Sequence, residues 1–257
     1  MGDYLMRAAA PIGAEGWAKI DERVVEVVKK NLVGRRFVHL VGPLGWGVEM
    51  VPTFGFAETD GAAVATETAA YLRLQELGQE FVLRAKHLAM AEQTPFALDM
   101  GAVAIAATKL ARAEDELILG SLIEAAKEMP LGTWDEMGGP FRAIAGAAAA
   151  LRQDGFDAPF AVVMSPAMYA RLAGLMQHGR REVELVEKLA AAGLFQSPIM
   201  PEDQVLVASP QPWNFDMVVG QDIVTAYVGN EGLDHRFRIF ETLALRLKRP
   251  GATRVLK

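Results

Sequence analysis

Apolar residues recur at helical spacing close to the start of the chain. Trp17, Ile20, Val24 and Val28 fall on one face, which predicts a helix over residues 17–32. Such a face normally packs against the core of the same chain.

The same helix carries a second apolar stripe, formed by Val25, Val28 and Leu32. A helix on the outside of a monomer usually has one apolar face, so a second stripe indicates either a well-buried helix or contact with an additional partner. The pattern leaves both interpretations open.

Downstream of this helix the pattern becomes extended. Residues 37–41 are predicted to form a strand, and the glycine- and proline-rich run at 42–47 is predicted to be a turn. Residues 48–79 show no clean period, and Asp60 and Gly61 resemble a hairpin tip. We therefore expect a two-stranded arm with little core of its own.

Helical and strand patterns follow in turn through the rest of the chain. The longest helix is predicted over residues 98–127, and a second alanine-rich helix begins at Pro140 and ends at Gly155. Strands are predicted at 160–164, 205–208, 215–219, 223–228 and 236–248. The strands gather late instead of alternating with helices, which predicts an α+β fold.

Composition narrows the possible partners and surroundings. The chain has 257 residues, a net charge of −6 and no cysteine, so disulfides and thiolate metal sites are excluded. Clustered basic residues, on which nucleic-acid binding depends, are absent. No apolar stretch approaches the length of a membrane span, and residues 1–10 do not resemble a secretion signal. We expect no nucleic-acid partner, no membrane contact and a cytoplasmic location.

A search for catalytic or ligand-binding motifs finds none. Ser165 lies in Met-Ser-Pro and not in the nucleophile motif of hydrolases, so it is predicted to cap a helix. If the chain were a hydrolase, Ser165 would be its candidate nucleophile. The acidic run 114–116 cannot converge on one ion, because consecutive helix residues point about 100° apart, and an intrahelical or intersubunit ion pair is expected instead. The histidines lack metal-ligand spacing: His39, His87, His178 and His235. We predict no catalytic residue, no metal, no cofactor and no enzymatic activity.

Short motifs in a fixed order run along nearly the whole chain, and together they resemble the encapsulin nanocompartment shell proteins of the family 1, linocin-like type. They are Leu5-x-Arg7, Ala10-Pro11-Ile12, Trp17, Ile20-Asp21, the run from Leu32 to Val38, Gly42-Pro43-Leu44-Gly45-Trp46, Leu98-Asp99, Ala113-Glu114-Asp115-Glu116, Ser165-Pro166, Tyr169, Gly220-Gln221-Asp222 and the run from Phe237 to Glu241.

The resemblance implies the fold of tailed-phage major capsid proteins, with a peripheral domain, an extended arm and an axial domain. It divides the chain into an N-terminal helix and the start of the peripheral domain (1–47), the arm (48–79), the peripheral domain with a spine helix (80–129), the axial domain (130–220) and a return to the peripheral domain (221–257).

The implied function is a container. Copies of the chain would assemble with themselves into an icosahedral shell of sixty subunits or a multiple. The shell would enclose a cargo protein that bears a short docking peptide, with iron storage or oxidative defence as its chemistry, and small molecules would pass through pores. The alternative is a viral or prophage major capsid protein that packages DNA.

Two sets of site residues follow. The resemblance implies that cargo docks in a groove between the first helix and the strands beside it, with contacts from Val25, Val28, Leu32, Arg35, Phe37, His39 and Tyr227. The alternative is that these side chains form ordinary core. A charged stretch in the implied axial domain is expected to border a five-fold pore, or else to be a solvated loop: His178, Arg180, Arg181, Glu182, Glu184 and Glu187.

Overall fold

A computed structural model describes residues 3–59, 63–177 and 179–257 of the chain. The described part contains the α-helices α1 (Ala14–Asn31), α2 (Ala85–Gln93), α3 (Gly101–Glu124), α4 (Gly139–Gln153), α5 (Pro166–Gly174) and α6 (Glu182–Leu189). The first helix, the spine helix and the alanine-rich α4 lie where the apolar spacing predicts them. Ser165 caps α5 as predicted, because its hydroxyl accepts a hydrogen bond from the Met168 N–H at 3.1 Å.

The strands in the described residues are β1 (Leu40–Val41), β2 (Met50–Thr53), β3 (Phe56–Thr59), β4 (Ala63–Thr66), β5 (Ala70–Arg73), β6 (Gln75–Leu83), β7 (Lys127–Met129), β8 (Ala161–Met164), β9 (Met176–Gln177), β10 (Arg180–Arg181), β11 (Gly193–Gln196), β12 (Val205–Ala208), β13 (Phe215–Val219), β14 (Val224–Glu231), β15 (Asp234–Leu247) and β16 (Thr253–Leu256).

Two five-stranded sheets organise the molecule. In one sheet the order is β1-β13-β15-β14, with β6 paired to the opposite side of β15. In the other the order is β11-β8-β12-β16-β7. Together with the helices they confirm a mixed α+β fold. The division into peripheral and axial domains stays a prediction.

The predicted arm consists largely of a two-stranded ribbon. β2 pairs with β5, and β3 pairs with β4 further out. Its side chains are mostly exposed, with Tyr71 at 65% and Val64 at 72%, whereas Val51 at its base is buried. The end of the predicted arm belongs elsewhere, because β6 is part of the main sheet. The predicted hairpin tip at Asp60 and Gly61 lies outside the described residues.

The strand predicted at 37–41 is mostly wrong. Gly34–Arg36 forms a 3-10 turn, and Phe37 and Val38 are buried in the loop that follows, so only Leu40–Val41 pairs as a strand. A short buried loop has the same run of apolar residues as a buried strand, and the pattern does not separate the two.

Two hydrophobic cores lie on either side of the middle of α3. The α1 core contains Ile20, Val24, Leu110 and Phe237, among others. The α4 core contains the inner faces of α4, β8 and β12 together with Ile118. Since α3 contributes to both, it joins them along one rigid element.

Candidate docking groove

A groove of about 380 Å³ lies between α1 and β14. It is the place that the sequence resemblance implies for docking, between the first helix and a strand beside it. Its lining consists of Leu5, Arg7, Asp21, Val24, Val25, Ile223, Val224 and Thr225.

The helix supplies an apolar wall because of its second stripe. Val24 faces the α1 core and is 3% exposed, whereas Val25, one position further round the helix, is 47% exposed. Ile223, which precedes β14, is partly buried beside the same core. The groove therefore has apolar side chains on two sides.

The opposite wall is a sheet edge, because among the described strands β14 has only β15 as a neighbour. An edge strand presents backbone N–H and C=O groups that another extended segment can pair with. Here the N-terminal segment uses part of that edge: the Tyr227 N–H donates to the carbonyl of Leu5 at 2.9 Å, and Arg7 Nε donates to the carbonyl of Thr225 at 2.9 Å.

Arg7 joins both walls of the groove. Besides its bond to Thr225, its two terminal nitrogens donate to the carboxylate of Asp21 on α1 at 2.7 and 2.8 Å. Its guanidinium also lies 4.4 Å from the ring centre of Trp17. Sequence reasoning did not place Arg7 or Asp21 in the site, although both lie within the motifs that carry the resemblance.

Most of the side chains predicted to contact cargo are covered by the chain itself. Val28 and Leu32 lie in the α1 core, and Phe37 lies in the α4 core, where its ring stacks on Phe195 at 5.7 Å. Tyr227 is 8% exposed. These four side chains therefore lie where the alternative interpretation, ordinary core, places them. Of the residues predicted to contact cargo, Val25 is the one that lines the groove.

The two predicted rim residues have other positions. Arg35 is largely buried and forms ion pairs with Glu114, Asp222 and Glu241. His39 is exposed, and its carbonyl accepts from the Met217 N–H where β1 joins β13. Neither residue is part of the groove lining.

The charged stretch predicted at a pore is divided between surface and interior. Arg180 and Arg181 are exposed on β10, which pairs with β9, and Glu184 and Glu187 are exposed on α6. His178 lies outside the described residues.

Glu182 does not belong to an exposed ring of charge, and its predicted pore role is wrong. Its side chain is fully buried, and its carboxylate accepts hydrogen bonds from the N–H groups of Gly138 at 2.5 Å and Phe141 at 2.9 Å. It thereby satisfies free donors at the start of α4.

Among the described residues, neither Glu114 nor Asp115 forms the intrahelical ion pair that was one of the expectations for the acidic run on α3. Glu114 binds Arg35 Nε at 2.8 Å, and Asp115 accepts from the N–H groups of Val33 and Gly34 at 2.8 to 3.0 Å. Burial raises the pKa of Asp115 to about 6 against the opposing effect of those donors. Both are tertiary contacts within one chain.

The described ranges contain neither a metal-binding cluster nor a membrane-spanning helix. They contain no group of three or more histidine, aspartate or glutamate side chains placed to hold a metal ion. Within those same ranges, no helix is long and apolar enough to cross a bilayer.

Comparison with known proteins points to one family. A family model described as encapsulating protein for peroxidase matches residues 2–244. The chain is 34% identical to the type 1 encapsulin shell protein EncA of Myxococcus xanthus, over 98% of this chain and 96% of that protein.

The fold has matches among solved structures. A virus-like particle from Pyrococcus furiosus matches with a TM-score of 0.83 and 22% identity, covering 95% of this chain and all of the other. The capsid of the myovirus phage XM1 matches with a TM-score of 0.59 and 13% identity, over 86% and 90% of the two chains. These likenesses confirm the predicted phage-capsid-like fold.

Proposed function

The chain belongs to the family of encapsulin shell proteins, and from this we propose that copies of it assemble into a closed icosahedral shell around a cargo protein. The observation that carries the proposal is the match of the family model to nearly the whole chain, on a fold shared with a virus-like particle and a phage capsid. The relatives are named as shell proteins, so the chain is structural and not an enzyme.

The arm supplies a physical reason for assembly. A two-stranded ribbon is at best marginally stable alone, and the outer pair of β3 and β4 has exposed apolar side chains such as Phe56 and Val64. Packing against a neighbouring subunit covers those side chains. In a closed symmetric assembly every subunit gives and receives the same contact.

Cargo docks, in this proposal, as an extended peptide in the groove between α1 and β14. Val25 and Ile223 offer apolar area, and the exposed backbone of the β14 edge offers hydrogen bonds in the manner of strand addition. Each contact can be weak, because many identical grooves in one shell hold an oligomeric cargo together.

The proposed cargo is an enzyme of oxidative defence or of iron storage. The description of the matching family names a peroxidase, which supports the first class for this chain. The second class rests on the sequence resemblance, and a relative from Pyrococcus furiosus, 29% identical over 58% of this chain, is named a ferritin-like-encapsulin shell fusion protein. The absence of cysteine fits a shell that assembles in the reducing cytoplasm.

Passage of small ions is assigned to the exposed β9–β10 hairpin. We place its charged residues, together with those on the outer face of α6, beside an opening on a symmetry axis, where repetition turns a few side chains into a charged ring. The residues are Arg180, Arg181, Glu184 and Glu187. A structure of the assembly that places them away from every axis would refute this assignment.

The test of the proposed function is to purify the assembled particles from the native host and identify every protein in them by mass spectrometry. An enzyme with a short terminal extension is expected inside, and absorbance at 260 nm should show no nucleic acid. Particles filled with DNA, accompanied by portal and terminase proteins, would instead establish the capsid alternative.

A further inference from the structure

Three separate segments of the chain pass from one core to the other at or close to a charged residue. On α3, Leu110 lies in the α1 core and Ile118 in the α4 core, with Glu114 between them. On β15, Phe237 and Leu243 flank Glu241 in the same way.

The third segment is the turn after α1. Leu32 belongs to the α1 core and Val33 to the α4 core, and Arg35 lies two residues beyond Val33. The boundary between the two cores is therefore polar, although it is enclosed by the protein: Glu114 and Glu241 are both fully buried.

One guanidinium holds this boundary together. Arg35 donates from Nε to Glu114 at 2.8 Å, from Nη2 to Glu241 at 2.6 Å and from Nη1 to Asp222 at 2.8 Å. Although burial lowers the pKa of Arg35, the hydrogen bond and charge of Glu114 raise it above its ordinary value, so the guanidinium stays charged. Three carboxyl groups thus face one positive charge.

Glu241 has an oxygen for which the described residues provide no donor. Its Oε1 is buried and accepts no hydrogen bond, and the carboxyl groups of Glu241 and Glu114 are held by the same guanidinium of Arg35. A proton on Oε1 gives this buried oxygen a hydrogen-bond partner, because the protonated carboxyl of Glu241 then donates to the carboxylate of Glu114. Burial, followed by the charge of Glu114, raises the pKa of Glu241 to about 9.

We propose that the junction of Arg35, Glu114, Asp222 and Glu241 is a proton-dependent lock between the two cores. With the proton in place, Glu241 and Glu114 share a hydrogen bond and Arg35 holds both α3 and β15. Without it, two adjacent buried carboxylates repel each other, and α3 and β15 separate at the boundary while each core keeps its own packing. The lock is a property of the single chain and does not depend on cargo.

The pH range follows from the direction of the shift. Because the folded pKa of Glu241 is above its ordinary 4.5, its contribution to stability is complete below 4.5 and is lost as pH rises to about 9. Asp115 has Glu114 and Arg36 as its charged neighbours, and its pKa is also raised. Its contribution to stability is therefore also lost as pH rises, but this loss is complete at about pH 6. A loss of stability between pH 7 and 9 is therefore attributed to deprotonation of Glu241.

The test is amide hydrogen exchange of the assembled protein at pH 7, 8 and 9, with labelling times scaled to the intrinsic exchange rate. Protection at residues 110–120 and 237–245 is expected to fall by up to about tenfold for each pH unit. Protection at β8 and β12, inside the α4 core, is expected to stay constant. In Glu241→Gln, whose amide stands in for the protonated acid, the fall at the junction should disappear.

Glu182→Gln is the matched control, because Glu182 is equally buried but has backbone N–H groups as partners. It should leave the pH dependence at the junction as in the unmodified chain. Constant protection at the junction in the unmodified chain, an undiminished fall in Glu241→Gln, or a parallel fall at β8 and β12 would each overturn the lock. If Glu241→Gln does not fold, Glu114→Gln replaces it in the comparison with the unmodified chain, and the fall in protection at the junction should likewise disappear in Glu114→Gln.

Discussion

The backbone N–H of Tyr227 donates to the carbonyl of Leu5 at 2.9 Å, so the N-terminal segment pairs with the free edge of β14. Leu5 and Tyr227 are far apart in sequence, and the contact places Leu5 along one wall of the groove. In the docking that we propose, the segment around Leu5 therefore limits how much of the strand edge a peptide can use.

On α1, Val25 lines the groove and Val28 lies in the α1 core, so a charge at the two positions should have different effects. Val25→Asp places a charge on the groove wall, so shells are expected to form normally while native cargo falls at least about tenfold, corresponding to about 1.4 kcal/mol per site. Co-purified cargo is measured by densitometry. Lys29→Asp, an exposed change on the same helix outside the groove lining, is the control.

Val28→Asp is predicted to have the opposite outcome. Val28 is 6% exposed within the α1 core, and an unpaired charge buried there lowers the free energy of unfolding by several kcal/mol, about 3 or more. Thermal unfolding and solubility report the effect. A soluble Val28→Asp shell that lacks cargo would show that Val28 faces the groove after all.

Arg7 is expected to stabilise the contact between the two walls of the groove. Arg7→Ala removes three hydrogen bonds that join the N-terminal segment to α1 and β14, and it is expected to cost about 2 kcal/mol. Arg7→Lys cannot reproduce the bidentate contact with Asp21 and should recover only part of the loss. Equal stability of all three proteins in urea unfolding would contradict the assignment.

The arm is predicted to be needed for closure and not for folding. Deleting residues 58–67 removes the outer part of the ribbon, whose described residues contribute no side chain to the two main cores. The variant should remain folded by circular dichroism but sediment as small species. Closed particles of unchanged size from this variant would refute the role of the arm.

The base of the arm should be sensitive to acid. Arg246 binds Asp216 and the carbonyl of Pro52 on β2, and although burial opposes it, the hydrogen bonds from Arg246 and Lys248 lower the pKa of Asp216. Stability from this group is therefore lost as pH falls below its ordinary value of 3.8. Asp216→Asn should flatten that part of the stability profile, measured by thermal unfolding from pH 5 to 3.

Regular periods in the sequence predicted the main elements correctly. The apolar stripe from Trp17 to Val28 and the alanine-rich runs identified α1, α3 and α4, because a helix that packs on one side leaves a repeated pattern. The strand β16 was not predicted, because its four buried residues include a threonine and an arginine and so form no apolar run. The equally buried β8 and β12 are continuous apolar runs, and these were predicted.

The site was harder to predict than the fold for a related reason. Val25 and Val28 belong to the same sequence stripe, yet one faces the groove and the other the core. Glu182 and Glu184 are equally charged in sequence, but Glu182 is buried because the start of α4 needs an acceptor there. Tertiary contacts decide such cases, and a single sequence does not contain them.

Electron microscopy of the purified chain tests the central claim most directly, without need of any partner. We predict closed particles of uniform diameter and icosahedral symmetry, in which the ribbon of β3 and β4 contacts a neighbouring subunit. A chain that remains monomeric under native conditions at micromolar concentration, or forms only open irregular aggregates, would contradict the account of this protein as a shell subunit.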